Sequence, residues 1–117
     1  MSYDLAFWKT TRKMDVPNHR IYEILSDGGH VDGLCEIPCK DIIRDMQQAF
    51  ADWHVHENIY EKSDGQYFEV TCTVQFFRVD CYGVIAEELN QIIDVLAKYG
   101  CPVYDASLDV RFDEWSQ

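Results

Sequence analysis

The 117 residues, 47% of them hydrophobic and 26% charged, fit one folded domain (1–117) rather than a disordered chain. A formal charge of −11, from 10 basic against 21 acidic residues, argues against nucleic acid, whose phosphates need clustered Lys and Arg, and against an anionic membrane surface. The imbalance exceeds the roughly 2–8 units that keep a small domain soluble, so it points to a basic partner.

In chain order, Tyr3–Lys9 alternates Tyr3, Leu5 and Phe7 with Asp4, Ala6 and Trp8, which predicts a strand with one apolar face. The basic segment Lys9–Met14 reads as a loop. Lys9, Arg12, Lys13 and Arg20 outweigh Asp4 and Asp15, so the first 20 residues carry +2 and the other 97 carry −13. Pro17 and Asn18 open a short helix with Ile21, Ile24 and Leu25 facing inward, closed by Gly28 and Gly29. After a loop through Gly33, Pro38 introduces a longer helix with Ile42, Ile43, Met46, Phe50 and Trp53 on one side.

The stretch His54–Lys62 can form a strand, because Ser63, Asp64 and Gly65 then supply a turn signal. Residues 67–82 are the clearest β region. Phe68, Val70, Cys72 and Val74 share one parity, whereas Phe77, Val79 and Cys81 share the other. A flat strand would split these sets between two faces, so a turn or bulge is expected near Val74–Phe76. Gly83 leads into a helix that buries Ile85, Leu89, Ile92, Ile93 and Leu96 and stops at Tyr99 and Gly100. Pro102 opens a last short strand or hairpin through Tyr104 and Phe112. This order predicts an α+β two-layer sandwich, a mostly antiparallel sheet with three helices on one face, in a ferredoxin-like variant.

Five cysteines (Cys35, Cys39, Cys72, Cys81 and Cys101), with no basic n-region before an apolar run at the N-terminus, predict reduced thiols in a cytoplasmic protein. Cys35, Cys39 and the histidines His30, His54 and His56 lack the paired spacing of a zinc site, so buried thiols and solvated histidines are expected and no metal or cofactor is assigned. Cysteine and histidine are present, but no local arrangement marks a nucleophile with its base, and no phosphate-binding glycine loop occurs. The chain therefore reads as a binding protein rather than an enzyme.

With the apolar set facing the helices, the other sheet face carries Asp4, Trp8, Tyr67, Glu69, Thr71, Phe76, Arg78, Asp80 and Tyr82. Aromatic residues among carboxylates suit a protein-binding surface, with cover by the C-terminal segment or a second subunit as the competing reading. The partner-binding candidates are Trp8, Tyr67, Glu69, Arg78, Asp80 and Tyr82, joined by Asp105 and Asp109 from an acidic C-terminal patch that also holds Asp113, Glu114, Tyr104 and Trp115. A further acidic patch, Asp27, Asp32, Glu36, Asp41 and Asp45, follows the helix connection.

Three stretches, Tyr3-Asp-Leu-Ala-Phe-Trp-Lys9, Phe77-Arg-Val-Asp-Cys-Tyr-Gly83 and Gly100-Cys-Pro-Val-Tyr-Asp105, together resemble small bacterial proteins of the Y-D-L-x-F-W type, some of which look like immunity proteins of contact-dependent growth inhibition and related polymorphic toxin systems. The resemblance implies a cytoplasmic inhibitor without chemistry of its own. It would capture a cognate toxin, of the basic nuclease type, as a monomer in the complex and occlude the toxin's active site. It carries over no functional residues. The alternative class is a small homodimeric ligand-binding or enzymatic α+β domain, which requires a concave pocket lined by convergent polar groups.

Overall fold

A computed structural model describes residues 2–113. The elements run β1 (Ser2–Phe7), α1 (Asn18–Ser26), α2 (Cys39–Ala49), β2 (His54–His56), β3 (Ile59–Glu61), β4 (Tyr67–Cys72), β5 (Phe77–Tyr82), α3 (Ala86–Ala97), β6 (Val103–Asp105) and β7 (Val110–Arg111). The strands form one antiparallel seven-stranded sheet in the order β2-β3-β4-β5-β1-β6-β7. The α+β class with an antiparallel sheet is therefore as expected.

The parity change within 67–82 is resolved by a hairpin. Thr73 and Phe76 exchange backbone hydrogen bonds at 2.8 and 3.4 Å around Val74 and Gln75, and Cys72 then pairs with Phe77. Both strands thus send their apolar residues to one side. Phe68, Val70, Phe77, Val79 and Cys81 join Leu5 and Phe7 of β1 there, against Ile42 and Met46 of α2 and Ile92, Val95 and Leu96 of α3. Helix α2 ends at Ala49, but Phe50 and Trp53 beyond it stay in this core. Phe50 and Trp53 meet Phe68 at 5.0 and 5.2 Å between ring centroids, and Tyr60 stacks on Phe68 at 4.7 Å. Pairs of this kind add about 0.5–1.5 kcal/mol each beyond area burial.

Helices α1 and α3 stop where glycine lets the backbone turn left-handed. Gly28 (φ +85°) donates its N–H to the Leu25 carbonyl and Gly29 to that of Ile24. Gly100 (φ +75°) and Cys101 repeat the pattern on Ala97 and Leu96.

Helix α1 departs from the expected arrangement. It lies on the opposite sheet face from α2 and α3, where Ile21 and Leu25 pack with Ala6, Trp8, Phe76 and Tyr104. The sheet is covered by two helices on one side and by one, over part of its width, on the other. Phe76 and Trp8, expected on an open face, lie in this second core. Gln75, also buried, pins the loop before α2 to the hairpin: Oε1 accepts the Val31 N–H at 3.0 Å, and Nε2 donates to the carbonyls of Val31 (3.0 Å) and Leu34 (3.3 Å). The stretch His54–Lys62 is a hairpin rather than one strand, turning at Glu57 (φ +57°) and Asn58. Ile85 precedes α3 as its N-cap and is exposed instead of buried, while the Glu88 carboxylate accepts its N–H at 3.1 Å.

Two of the five cysteines, expected as reduced thiols, also depart from expectation. Cys39, the first residue of α2, is disulfide-bonded to Cys72 at the end of β4, with 6.1 Å between Cα atoms, whereas Cys35, Cys81 and Cys101 are free. Together with the Ile37 N–H on the Val74 carbonyl at 2.7 Å, the bridge ties the entry of α2 to the β4–β5 hairpin. Closing a loop of 33 residues restricts the unfolded chain by roughly 3–4 kcal/mol. Cys39→Ser with Cys72→Ser, or reduction, is expected to lower stability by that amount. Urea unfolding with and without a dithiol measures it, and an unmoved midpoint would show that the bridge imposes no such constraint.

Candidate functional site

Register arranges the face opposite α2 and α3 into cross-strand rows. One row runs His54, Glu61, Tyr67, Tyr82 and the next runs His56, Ile59, Glu69, Asp80, Asp4. A third runs Thr71, Arg78, Ala6, Tyr104, Arg111. Helix α1 covers the β1–β6 end of the third row, and among the described residues no helix packs over the first two rows from β2 to β5. At the β2 end, His54, His56, Ile59, Glu61 and Tyr67 outline a shallow hollow of about 500 Å³.

The second row sets three carboxylates side by side, an arrangement in which like charges directly opposite repel. Arg78 is the cation that holds it. Its Nε donates to Asp80 at 2.8 Å, one terminal nitrogen to Asp4 at 3.3 Å and the other to Ser26 of α1 at 3.1 Å, with the guanidinium 5.3 Å from the Tyr22 ring centroid. Glu69, at the outer end, accepts from Asn58 Nδ2 at 3.1 Å. One guanidinium does not offset the crowding at Asp4. Burial first, then its hydrogen bond with Asp80 and that neighbour's charge, raise the Asp4 carboxyl above its ordinary value, against the opposing pull of Arg78. In the next row Tyr67 and Tyr82 stack with centroids 4.6 Å apart, giving a flat, half-exposed aromatic platform beside the acids.

Of the residues singled out in the sequence, Tyr67, Glu69, Arg78, Asp80 and Tyr82 are brought together here. Trp8 is not: it is fully buried, its ring 5.1 Å from that of Tyr104 and beneath the Arg111 guanidinium. Asp105 is buried as well. It pairs with Leu5 in register, and so belongs to the side of α2 and α3, accepting from the Tyr3 and Ser107 hydroxyls and the Ser107 and Leu108 N–H groups. Burial alone would raise the Asp105 carboxyl, but these donors together hold it below its ordinary value, and the shared bond pushes the Tyr3 hydroxyl up to about 12. Asp109 is exposed but lies at the β6–β7 turn, where it accepts the Tyr104 hydroxyl at 2.8 Å. Glu114 and Trp115 of the acidic C-terminal patch lie outside the described residues. Sequence reading missed the contribution of His54, His56, Ile59 and Glu61, whose face depends on the β2–β3 hairpin.

Burial pushes the Cys81 thiol up to about 12 and the Cys101 thiol to about 11, so neither supplies a thiolate nucleophile near neutral pH. Among the described residues, no three His, Cys, Asp or Glu side chains are placed to hold a metal ion, and no helix is long and apolar enough to cross a membrane. A concave site of about 770 Å³ lies on the α2–α3 side, between Trp53, Glu61, Asp64 and Gln91. Inside it Lys62 ion-pairs with the buried Glu88 and lies 5.3 Å from the Trp53 ring centroid. Comparisons with protein-family models, with curated proteins and with solved structures return no match for this chain.

The raised Asp4 carboxyl has a signed consequence. Between its ordinary value of 3.8 and its folded value, the folded chain binds more protons than the unfolded one, so stability falls as pH rises through that window. Asp4→Asn is expected to remove this slope and to be more stable than the parent at pH 7. Urea midpoints collected from pH 4 to pH 7 test this, and a variant less stable than the parent at pH 7 would mean that the Arg78 pairing outweighs the repulsion.

Proposed function

We propose that the chain is an immunity protein that captures and neutralises a cognate toxin with a basic, nuclease-type active cleft. The observation that carries this reading is the uncovered sheet face, where Asp4, Asp80 and Glu69 form one carboxylate row beside the stacked Tyr67 and Tyr82 on a chain of net charge −11. A cleft built for polyanions presents cations in rows, and carboxylates at strand spacing offer them partners where phosphates would sit. Stacked tyrosines contribute rigid contact area with little side-chain entropy to lose. Acidic steering raises the encounter rate, to about 10⁸–10⁹ M⁻¹s⁻¹ at low salt. The protein would act as a monomer in the complex, without catalysis of its own; a cytoplasmic location now draws on the resemblance alone, because the Cys39–Cys72 bridge favours an oxidising compartment. The fold supports the finer reading of a ferredoxin-like variant: β1, α2, β4, β5, α3 and β6 run β-α-β-β-α-β, and their strands stand in the order β4-β5-β1-β6, with β2–β3, β7 and α1 as additions.

The test is capture of a basic toxin domain, sought in the reading frame next to this gene. It is expected to co-purify with the chain at physiological salt and to lose its activity, with an association rate that falls steeply as salt rises. Tyr67→Ala and Glu69→Lys are each expected to weaken binding by about 2 kcal/mol, roughly 30-fold. Absence of any complex at physiological salt would defeat the reading, whereas full affinity in both variants would move the interface elsewhere.

A second reading, a homodimeric ligand-binding or enzymatic domain, draws on the 770 Å³ site around Lys62, Glu88 and Trp53. It expects a dimer in sedimentation and a small-molecule ligand that Glu88→Gln releases. A monomer that retains no ligand would dispose of it.

A further inference from the structure

The Cys39–Cys72 bridge joins the first residue of α2 to the last of β4. Both cysteines are half-exposed, and their chain neighbours Pro38, Lys40, Thr71 and Thr73 are all exposed. Cys81 and Cys101 are the opposite case. These free thiols are each 1% exposed, and burial pushes both up, away from the thiolate form at neutral pH. The chain thus keeps two inert thiols inside and one sulfur–sulfur bond where a thiol reagent can approach it.

What else holds this end of α2 decides what breaking the bond does. On the helix side, Ile42 and Met46 are fully buried in the main core and seat α2 without help from the bridge. On the loop side, the Ile37 N–H bonds the Val74 carbonyl at 2.7 Å, and the Gln75 side chain holds Val31 and Leu34. Between these anchors lies the first turn of α2, and its own ties are slight. Pro38 at the N-cap supplies no side-chain cap, and Lys40 and Asp41 are exposed. The Arg44–Asp41 pair at 3.3 Å is an exposed i,i+3 contact of the kind that contributes little. Opening the bridge therefore leaves both cores in place and frees one turn of helix.

We propose that the Cys39–Cys72 bridge is a redox-exchange site, opened in the folded protein by a dithiol reductant, and that its reduction releases the first turn of α2. A thiolate of the reductant attacks one of the two sulfurs. The bond between Cys39 and Cys72 breaks, and the other sulfur leaves as a thiolate and takes up a proton. The reductant's second thiol then displaces the first, so the reductant departs as its own disulfide and the protein holds two thiols. Oxidation by a disulfide runs the same steps in reverse. The compartment sets the form, since a reducing one keeps the thiols and an oxidising one closes the bond. The inference does not rest on toxin capture and stands or falls separately.

The experiment treats the native protein with dithiothreitol, traps thiols with brief pulses of N-ethylmaleimide and reads the labelled sites by mass spectrometry. Cys39 and Cys72 are expected to be trapped while Cys81 and Cys101 stay unlabelled. The rate is expected to rise in proportion to dithiothreitol and to be unchanged by urea well below the unfolding midpoint. A rate that climbs with urea as the unfolded population does, or labelling of Cys81 and Cys101 in step with Cys39, would mean reduction only through unfolding and would overturn the proposal. ¹⁵N relaxation then compares the oxidised and reduced chains. The heteronuclear NOE is expected to fall at Cys39, Lys40 and Asp41 on reduction and to keep its value at Gln47 and Gln48, with Cys39→Ser plus Cys72→Ser matching the reduced parent. A reduced parent that unfolds, or one whose first turn is as ordered as in the oxidised chain, would overturn the release of that turn.

Discussion

Strand β1 has to serve two cores at once. It pairs with β5 along one edge and with β6 along the other, and from Leu5 onward both of its faces are covered: Leu5 and Phe7 enter the core under α2 and α3, while Ala6 and the following Trp8 enter the smaller core under α1. A strand covered on both sides must be apolar on both, which is why Leu5-Ala6-Phe7-Trp8 is an unbroken buried run. The rest of the sheet takes its register from this strand. A slip of β1 by one residue against β5 would turn Asp4 and Ala6 toward the main core and Leu5 and Phe7 out of it, so burial enforces the pairing that lines up the carboxylates. The acid row is in this sense a by-product of the core, since the residues that alternate with Leu5, Val70 and Val79 must lie opposite one another whatever their charge.

That dependence explains what was legible in the sequence. Period-two parity identified the set facing α2 and α3, and the same parity brought Tyr67, Glu69, Arg78, Asp80 and Tyr82 together on the other face, because a strand carries its facing information locally. The glycines that close α1 and α3 were legible for a similar reason: a left-handed residue after an apolar stripe is a local event. The side on which α1 lies was not local. Its stripe of Ile21 and Leu25 could be buried on either face, and contacts with Trp8, Phe76 and Tyr104, far away in the chain, decide it. The signal available was the run Leu5–Trp8, too continuous for a strand with one wet face.

The remaining differences share this origin. Cys39 and Cys72 are 33 residues apart and meet only because α2 starts against the β4–β5 hairpin. The β2–β3 hairpin turns on Glu57 at positive φ, where glycine or asparagine would have announced it, so the His54 and His56 side of the site went unseen. Asp105 looked like surface acidity but serves as an internal acceptor for Tyr3 and Ser107. A carboxylate's neighbours, which composition does not contain, decide whether it is a surface charge or a structural acceptor.

Arg78 shows how the acidic face is kept both folded and receptive. Two of the three carboxylates, Asp4 and Asp80, meet one guanidinium, and that guanidinium is also engaged by Ser26 and Tyr22 of α1, so it stands toward the covered end of the row. Neutralisation is therefore lopsided. Asp4 and Asp80 share the cation, while Glu69 at the open end accepts from the Asn58 amide and lies opposite Asp80 in register. On the proposed reading, a partner's cation would meet Glu69 beside the Tyr67–Tyr82 platform, on which a guanidinium can also stack. On the same reading, that charge would give Glu69 the cation that Arg78 does not supply. At Asp4 the burial and the neighbouring Asp80 that raise the carboxyl also lower the stability of the free domain at neutral pH.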